Sequence, residues 1–224
     1  MHAHLGHAFQ QLKKSLFTLS AAVEENLHLA VKAVLENEPE LTARVRARDL
    51  EIDLMEVDFE EECLKILALH QPVAIDLRFV VAVLKINNDL ERIGDLAVSI
   101  AEHAPRFSGK DPVDRVRKLP TMAETAQSML RRSLDAVVEM DAGLAREVLA
   151  DDDEVDSLYH DMTRSLRDGM QQGAGDIDDL LSLMMVCKHI ERIADLATNI
   201  AEDAIYMADG EIVRHGRHHV SDEG

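Results

Sequence analysis

Aromatic residues are nearly absent from this chain, which has no tryptophan and only 3% aromatic residues among 224. β-strands favour aromatic and β-branched side chains, so this shortage, beside many Leu, Ala, Glu and Met residues, argues against a sheet and favours helices. The five prolines punctuate the pattern, and none interrupts a long periodic stretch. The composition therefore predicts an all-α fold. Because 46% of the residues are hydrophobic, this fold can bury a sizeable core.

Basic residues are scarce relative to acidic ones, with 24 Lys+Arg against 43 Asp+Glu and a net charge of −19. Such a field repels nucleic acid and anionic membranes and attracts cations, so direct nucleic-acid binding is not expected. Cysteine is also rare: Cys63 and Cys187 fall within helical patterns and suit buried free thiols in a reducing cytosol. No signal peptide and no long apolar run is visible, so we expect a soluble cytoplasmic protein.

One acidic motif occurs twice in the chain, at residues 90–97 and again at 190–197. A period of 100 residues indicates one supersecondary module present twice. Each copy carries two carboxylates four residues apart, Glu91 with Asp95 and Glu191 with Asp195. A helix places residues at this spacing on one face, with Cβ atoms about 5–6 Å apart, where like charges destabilise it. The repeat therefore predicts a group that neutralises these charges.

Hydrophobic periodicity predicts six long helices, three in each module, that end at prolines or at a glycine-rich turn. Thr121 and Glu124 have the spacing of a capping box, and Asp141 is predicted to cap the fifth helix. The predicted helices cover residues 4–36, 40–69, 75–104, 121–140, 141 to about 169, and 176–208. We therefore expect two tandem three-helix bundles, at 1–107 and 121–209, with a linker at 108–120 and a polar tail at 210–224.

A second pair of carboxylates lies in the helix before each motif. Helices joined by a short turn run antiparallel, so residues at one level have numbers with a constant sum. That sum is 144 for both pairs of the first module, centred on Pro72, and 347 for both pairs of the second. Four carboxylates are thus predicted to meet in each module: Asp49, Asp53, Glu91 and Asp95 in the first, and Asp152, Asp156, Glu191 and Asp195 in the second.

Four carboxylates in one patch repel one another. Two like charges about 4 Å apart, at an effective dielectric near 20, cost about 4 kcal/mol. Protonation or a bound cation relieves this repulsion. Ligand sets made only of oxygen suit hard cations, so each patch is predicted to be a metal site, with room for several ions. The candidate ions are ferric or divalent: iron, magnesium, manganese, calcium or zinc.

A solvated acidic face with local ion pairs is the alternative to a metal site. In that interpretation three arginines pair with the aspartate three residues on: Arg46 with Asp49, Arg92 with Asp95, and Arg192 with Asp195. The recurrence of matched levels in both modules favours metal. Three asparagines beside the motifs are candidates for hydrogen bonds that hold the carboxylates, although helix caps and surface positions explain them equally well: Asn87, Asn88 and Asn199.

Histidines are weaker metal candidates. Glu25 and His28 form one E-x-x-H motif, whereas a ferritin-like di-iron centre needs that motif from two helices. Two further clusters fall in termini that we expect to be frayed: His2, His4 and His7, and His215, His218 and His219.

Three stretches resemble the PhoU family, whose members are regulators tied to phosphate transport: residues 63–78, 84–95 and 211–215. The resemblance covers nearly the whole chain. It implies two three-helix bundles in tandem, a homodimer, and metal clusters, with multinuclear iron in some members, at the eight carboxylates named above. The second module departs from the family pattern, with Ala194 where glycine is common, Leu196 where histidine is common, and a different turn at 173–176.

The resemblance further implies a non-enzymatic cytoplasmic adaptor that negatively regulates phosphate uptake and transcription of the phosphate regulon. Its implied partners are the ATPase subunit of an ABC phosphate importer and a phosphate-sensing histidine kinase, and only these would bring it to a membrane. Three alternatives stay open: a carboxylate-bridged iron oxidase or store, a helical interaction module without metal, and a PhoU-like partner of a sodium–phosphate cotransporter.

Overall fold

The computed structural model describes residues 2–104, 117–173 and 175–213. These residues form six helices and no strand, as the composition predicts. None of the described helices combines the length and the apolar character that crossing a bilayer requires. The helices are α1 (His2–Leu35), α2 (Glu40–His70), α3 (Ile75–Ala101), α4 (Leu119–Glu139), α5 (Ala142–Gln171) and α6 (Ile177–Asp209).

The helices pack as two consecutive three-helix bundles. α1, α2 and α3 contact one another, and α4, α5 and α6 do the same. Each helix turns an apolar stripe inward at the spacing of an amphipathic helix. On α1 the predicted stripe is buried at Leu12, Leu16, Leu19, Val23 and Leu27. The predicted all-α architecture of two tandem bundles is confirmed.

The two bundles pack against each other through α3 and α6, with a second contact between α1 and α4. Lys85 on α3 lies 3.5 Å from Asp203 on α6, whose side chain is only 2% exposed. Further along, the rings of His103 and His189 lie 6.1 Å apart. From the first contact to the second, residue numbers rise along α3 and fall along α6, so these two helices are antiparallel. The helices that carry the repeated acidic motif therefore also join the two bundles.

Polar caps and prolines set the helix ends. Asp141 accepts hydrogen bonds from the backbone N–H groups of Gly143 at 2.8 Å and Leu144 at 3.0 Å, which confirms the predicted cap. The predicted cap at Thr121 is wrong, because α4 begins at Leu119 with a proline in its first turn, where a missing N–H costs little. Most of the predicted linker and tail lies outside the described residues.

Candidate metal centres

Contacts between α2 and α3 fix the level at which the first module's carboxylates meet. Three pairs, spaced seven residues apart on each helix, lie side by side: Thr42 with Ala101, Asp49 with Gly94, and Glu56 with Asn87. Thr42 donates a hydrogen bond of 2.8 Å to the Ala101 carbonyl. The helices are therefore antiparallel, and their register differs by one residue from the predicted one.

The four predicted carboxylates of the first module form one electrostatic cluster. Burial, and then the charges of Asp53, Asp95 and Glu91, together raise the pKa of Asp49 to about 6. Burial also raises the pKa of Glu91, and Asp95 and Asp53 contribute. Asp49 and Glu91 are half-buried, whereas Asp53 and Asp95 are exposed. The structure thus brings all four carboxylates together at a site open to solvent.

The second module repeats this arrangement on α5 and α6. Burial, and then the charges of Asp156 and Asp195, together raise the pKa of Asp152 to about 6. Burial and then the charges of Asp195, Asp156 and, least, Asp152 raise the pKa of Glu191, against a lowering by a neighbouring arginine. Asp152 and Glu191 are half-buried, and Asp156 and Asp195 are exposed, position for position as in the first module.

Two arginines predicted to neutralise the first cluster bind other carboxylates. Arg46 lies 2.6 Å from Glu102, the residue that follows α3, and Arg92 lies 3.6 Å from Asp89 on its own helix. The predicted pairs of these arginines with the aspartate three residues on are therefore wrong. Arg92 nonetheless lowers the pKa of Glu91 in part, and in the second module Arg192 does the same for Glu191 and Asp195.

A fifth carboxylate, Glu56, borders the first cluster and was not predicted. Its charge helps to raise the pKa of the motif glutamate on α3. The Asn87 amide donates to the Glu56 carboxylate at 2.8 Å and to the Glu56 backbone carbonyl at 3.1 Å. Asn87 therefore has the predicted kind of role, whereas Asn88 and Asn199 line a cavity of about 420 Å³ between α3 and α6. The signal for Glu56 is its position three residues after Asp53, on the same helix face.

The second cluster has a different border. Tyr159 and Cys187 stand where the repeat places Glu56 and Asn87 in the first module, at offsets of 103 and 100 residues. Burial raises the pKa of the Tyr159 phenol, and the charge of Glu191 adds to this. A phenol therefore replaces a carboxylate beside the second cluster.

The donor groups fit a hard cation by chemistry. Each cluster offers only oxygen, is partly buried and repels itself, which is the environment that a multivalent cation stabilises. In the first module, a β-carbon on Gly94 would lie 2.8 Å from Asp49 Oδ1, so the bare glycine makes room for this carboxylate. Within the described parts of the chain, however, no three His, Cys, Asp or Glu side chains form a ready-made ligand shell.

The histidine candidates lie apart from both clusters. His28 lines a cavity of about 540 Å³ between α1 and α4, and Glu25 of the same motif forms an ion pair with Arg48. His7 is exposed on α1. The other terminal candidates lie outside the described side chains: His2, His4, His215, His218 and His219.

Comparison with known proteins supports the two-module interpretation. A family model for the PhoU domain matches residues 16–104 and again 119–204. The chain is similar to a phosphate-specific transport system accessory protein PhoU homolog of Aquifex aeolicus, with 37% identity and 96% of each chain covered. A protein of the same description from Clostridium acetobutylicum is 34% identical, over 91% of this chain and 94% of that one.

Two solved structures share the fold. The crystal structure of PhoU from Pseudomonas aeruginosa matches with a TM-score of 0.88 and 33% identity, over 92% of this chain and 99% of that one. The phosphate transport system regulatory protein PhoU from Streptococcus pneumoniae matches with a TM-score of 0.87 and 26% identity, over 93% and 99%. With both modules matched and nearly the full length covered, this chain belongs to the PhoU family.

Proposed function

We propose that this protein is a metal-binding accessory regulator of phosphate uptake. It acts in the cytoplasm as a non-enzymatic adaptor between the ATPase subunit of an ABC phosphate importer and a phosphate-sensing histidine kinase. In that position it lowers phosphate uptake and transcription of the phosphate regulon. Membership of the PhoU family supports the link to phosphate transport, since the relatives are named as accessory proteins of a phosphate-specific transport system.

The paired carboxylate clusters carry the metal part of the proposal. In both modules a self-repelling, oxygen-only set recurs at matched helix levels, and burial together with the neighbouring carboxylates raises the pKa of one half-buried aspartate to about 6. A bound cation would supply the positive charge that these sets lack. The residues that would hold it are Asp49, Asp53, Glu91 and Asp95, and Asp152, Asp156, Glu191 and Asp195.

The clusters have a structural role in this proposal. Each one spans two helices, α2 with α3 or α5 with α6, so a cation shared between them ties the pair. Because the unfolded chain does not hold the carboxylates together, such binding adds to the free energy of unfolding. The adaptor surfaces would then be presented by helices whose relative positions the ions fix.

A cell-based experiment tests the adaptor role. In a strain without its own copy, wild type should restore repression of a phosphate-regulon reporter in high phosphate and co-purify with the ATPase subunit and the kinase. A first-module variant should lose both properties: Asp49→Asn, Asp53→Asn, Glu91→Gln and Asp95→Asn. A matched control that removes four exposed carboxylates elsewhere should behave as wild type: Glu40→Gln, Glu124→Gln, Glu139→Gln and Glu147→Gln.

Two results would contradict the proposal. If wild type neither represses the reporter nor binds either partner, the adaptor role is wrong. If the first-module variant represses as well as wild type, the cluster has no part in regulation, whatever it binds.

A further inference from the structure

The outer side of α2 carries a row of exposed apolar side chains. Leu50, Leu54, Val57 and Leu64 are 67%, 69%, 52% and 52% exposed. Steps of four, three and seven residues place them on one side of a helix with 3.6 residues per turn. We call these four residues the α2 stripe. Single exposed apolar residues are ordinary on a protein surface, but several on one face of a helix indicate an interaction site.

The fold itself does not need the α2 stripe. The equivalent positions of α5, 103 residues later, are all exposed and none is apolar: Asp153, Ser157, His160 and Arg167. The second module builds the same three-helix bundle with polar groups on this side. The stripe of the first module is therefore a local addition to its surface.

Acidic side chains border the α2 stripe on both sides. Within the stripe, Glu61 is ion-paired with Lys65 at 2.9 Å. At 100° per residue, one border falls on the side of the first carboxylate cluster and the other on the opposite side of the helix. The exposed border residues outside the carboxylate cluster are Glu60 on the first side, and Glu51 and Asp58 on the second.

We infer that the α2 stripe is the docking surface for an amphipathic helix of a partner protein, with lysine or arginine bordering its apolar face. The apolar row supplies burial, and the acidic borders select a basic partner. A second copy of this chain would set acidic borders against acidic borders, which disfavours self-association here. The inference rests on the proposed adaptor function and adds the chemistry of the partner.

A peptide-binding experiment on the purified full-length protein tests this surface. The probe is a fluorescent helical peptide of about eighteen Leu and Lys residues, with all leucines on one face. The comparison peptide has the same composition in scrambled order, which keeps its charge and removes its apolar face. Binding is measured by anisotropy at near-physiological salt, and the site is mapped by hydrogen exchange.

The equivalent positions of the second module provide the substitutions for a matched variant. A stripe-exchange variant takes the second module's residues without changing net charge: Leu50→Asp, Leu54→Ser, Val57→His and Leu64→Arg. A control variant changes four exposed apolar residues outside α2 in the same charge-neutral way: Phe17→Ser, Val138→Ser, Ile177→Asp and Leu181→Arg. The single change Leu54→Asp serves if the exchange variant does not fold.

The expected result is about tenfold tighter binding of the amphipathic peptide than of the scrambled one, with protection along α2. The stripe-exchange variant should lose that preference, and the control variant should keep it. Equal binding of both peptides, protection of α5 as well as α2, or unchanged binding by the exchange variant would overturn the inference. So would a wild-type dimer that the stripe exchange converts to a monomer.

The proposed function fails in a different way. If wild type fails to repress the reporter, the adaptor proposal is wrong, but the peptide-binding result remains valid. A stripe-exchange variant that still co-purifies with both partners would end the docking inference alone.

Discussion

The two modules have the same fold, and each carries the same pattern of four carboxylates, but the residues around those carboxylates differ. Both keep groups that raise one another's pKa values, at a cost to the metal-free fold. The first cluster is bordered by polar groups and an open backbone, the second by a phenol, a thiol and a methyl group: Glu56, Asn87 and Gly94 against Tyr159, Cys187 and Ala194. The four carboxylates are common to both modules, and the border residues differ in charge and in the space they leave, which would govern how tightly each proposed site holds an ion.

The turn that joins the two carboxylate-bearing helices also differs between the modules. The α5–α6 turn uses Gly173 and Gly175 where φ is +65° and +108°, values that glycine adopts without strain. The α2–α3 turn places Gln71 and Ala74 at φ +46° and +50°, beside Val73, which is 74% exposed. Side chains at positive φ cost about 1 kcal/mol or more. The first module therefore carries backbone strain in this turn that the second avoids.

Removing metal should have the largest effect and should separate the modules. When the free ion concentration is 100 times the Kd, one site adds about 2.7 kcal/mol to the free energy of unfolding. For a chain of this size that corresponds to roughly 5–10 °C in Tm. Chelation should lower the Tm of wild type by this order. The first-module variant should lose the larger share, because Glu56 adds a carboxylate that the second module lacks. The measurements are thermal unfolding and elemental analysis of protein without a His tag.

The control for that experiment is the second-module variant, with Asp152→Asn, Asp156→Asn, Glu191→Gln and Asp195→Asn. It should retain the first module's ion and part of the Tm shift. An unchanged Tm after complete metal removal from wild type would refute the structural role of metal in both modules.

Acidification should stabilise the metal-free protein. The folded-state pKa of Asp49 and of Asp152 is about 6, above the ordinary 3.8, so the folded state holds a proton that the unfolded chain has released. This contribution is complete below about pH 4 and is lost as the pH rises through 6. Two pKa units correspond to about 3 kcal/mol, which solvent screening of these half-exposed groups reduces to about 1 kcal/mol each. Urea unfolding of chelated protein between pH 4 and 7 measures it.

Single substitutions assign that pH dependence to a module. Asp49→Asn and Asp152→Asn should each flatten the curve by a similar amount. Stability that rises with pH in the chelated protein would show that the clusters do not repel as described.

Exchanging one small residue between the modules tests the border of the cluster. Gly94→Ala would put a methyl group 2.8 Å from Asp49 Oδ1 and displace that carboxylate. Ion affinity of the first module should fall about tenfold, while helix propensity offsets about 1 kcal/mol of the strain. Ala194→Gly should cost about 1 kcal/mol of stability without loosening the second site. Titration calorimetry gives the affinity and urea unfolding the stability; unchanged affinity in Gly94→Ala would contradict this account.

The smallest effect concerns the turns. Ala74→Gly should raise the free energy of unfolding by about 0.5–1 kcal/mol, because glycine removes the strain at positive φ. Gly175→Ala should lower it by at least as much, since φ is +108° there. Denaturant unfolding of both variants compares the turns directly. A destabilised Ala74→Gly would mean that the first turn is not strained.

Local patterns were sufficient to predict most of the fold and the meeting of the carboxylates. Apolar periodicity predicted the buried face of α1. The short turn between α2 and α3 predicted antiparallel helices and the level of Asp49 to within one residue. The start of α4 was mispredicted because a proline is tolerated inside a first helical turn. The partner of Arg46 was missed because Glu102 lies at the end of another helix, 56 residues away in the chain. The α2 stripe was not predicted, since exposure depends on how all three helices pack.

The joint between the bundles has one further consequence. The helices that present the motif carboxylates, α3 and α6, also hold the halves of the molecule together, with Lys85 against the nearly inaccessible Asp203. Neither half can tilt its carboxylate-bearing helix without shifting the helix that bears the other set. The contact between α3 and α6 therefore lies on the route by which a displacement at one candidate site would reach the other.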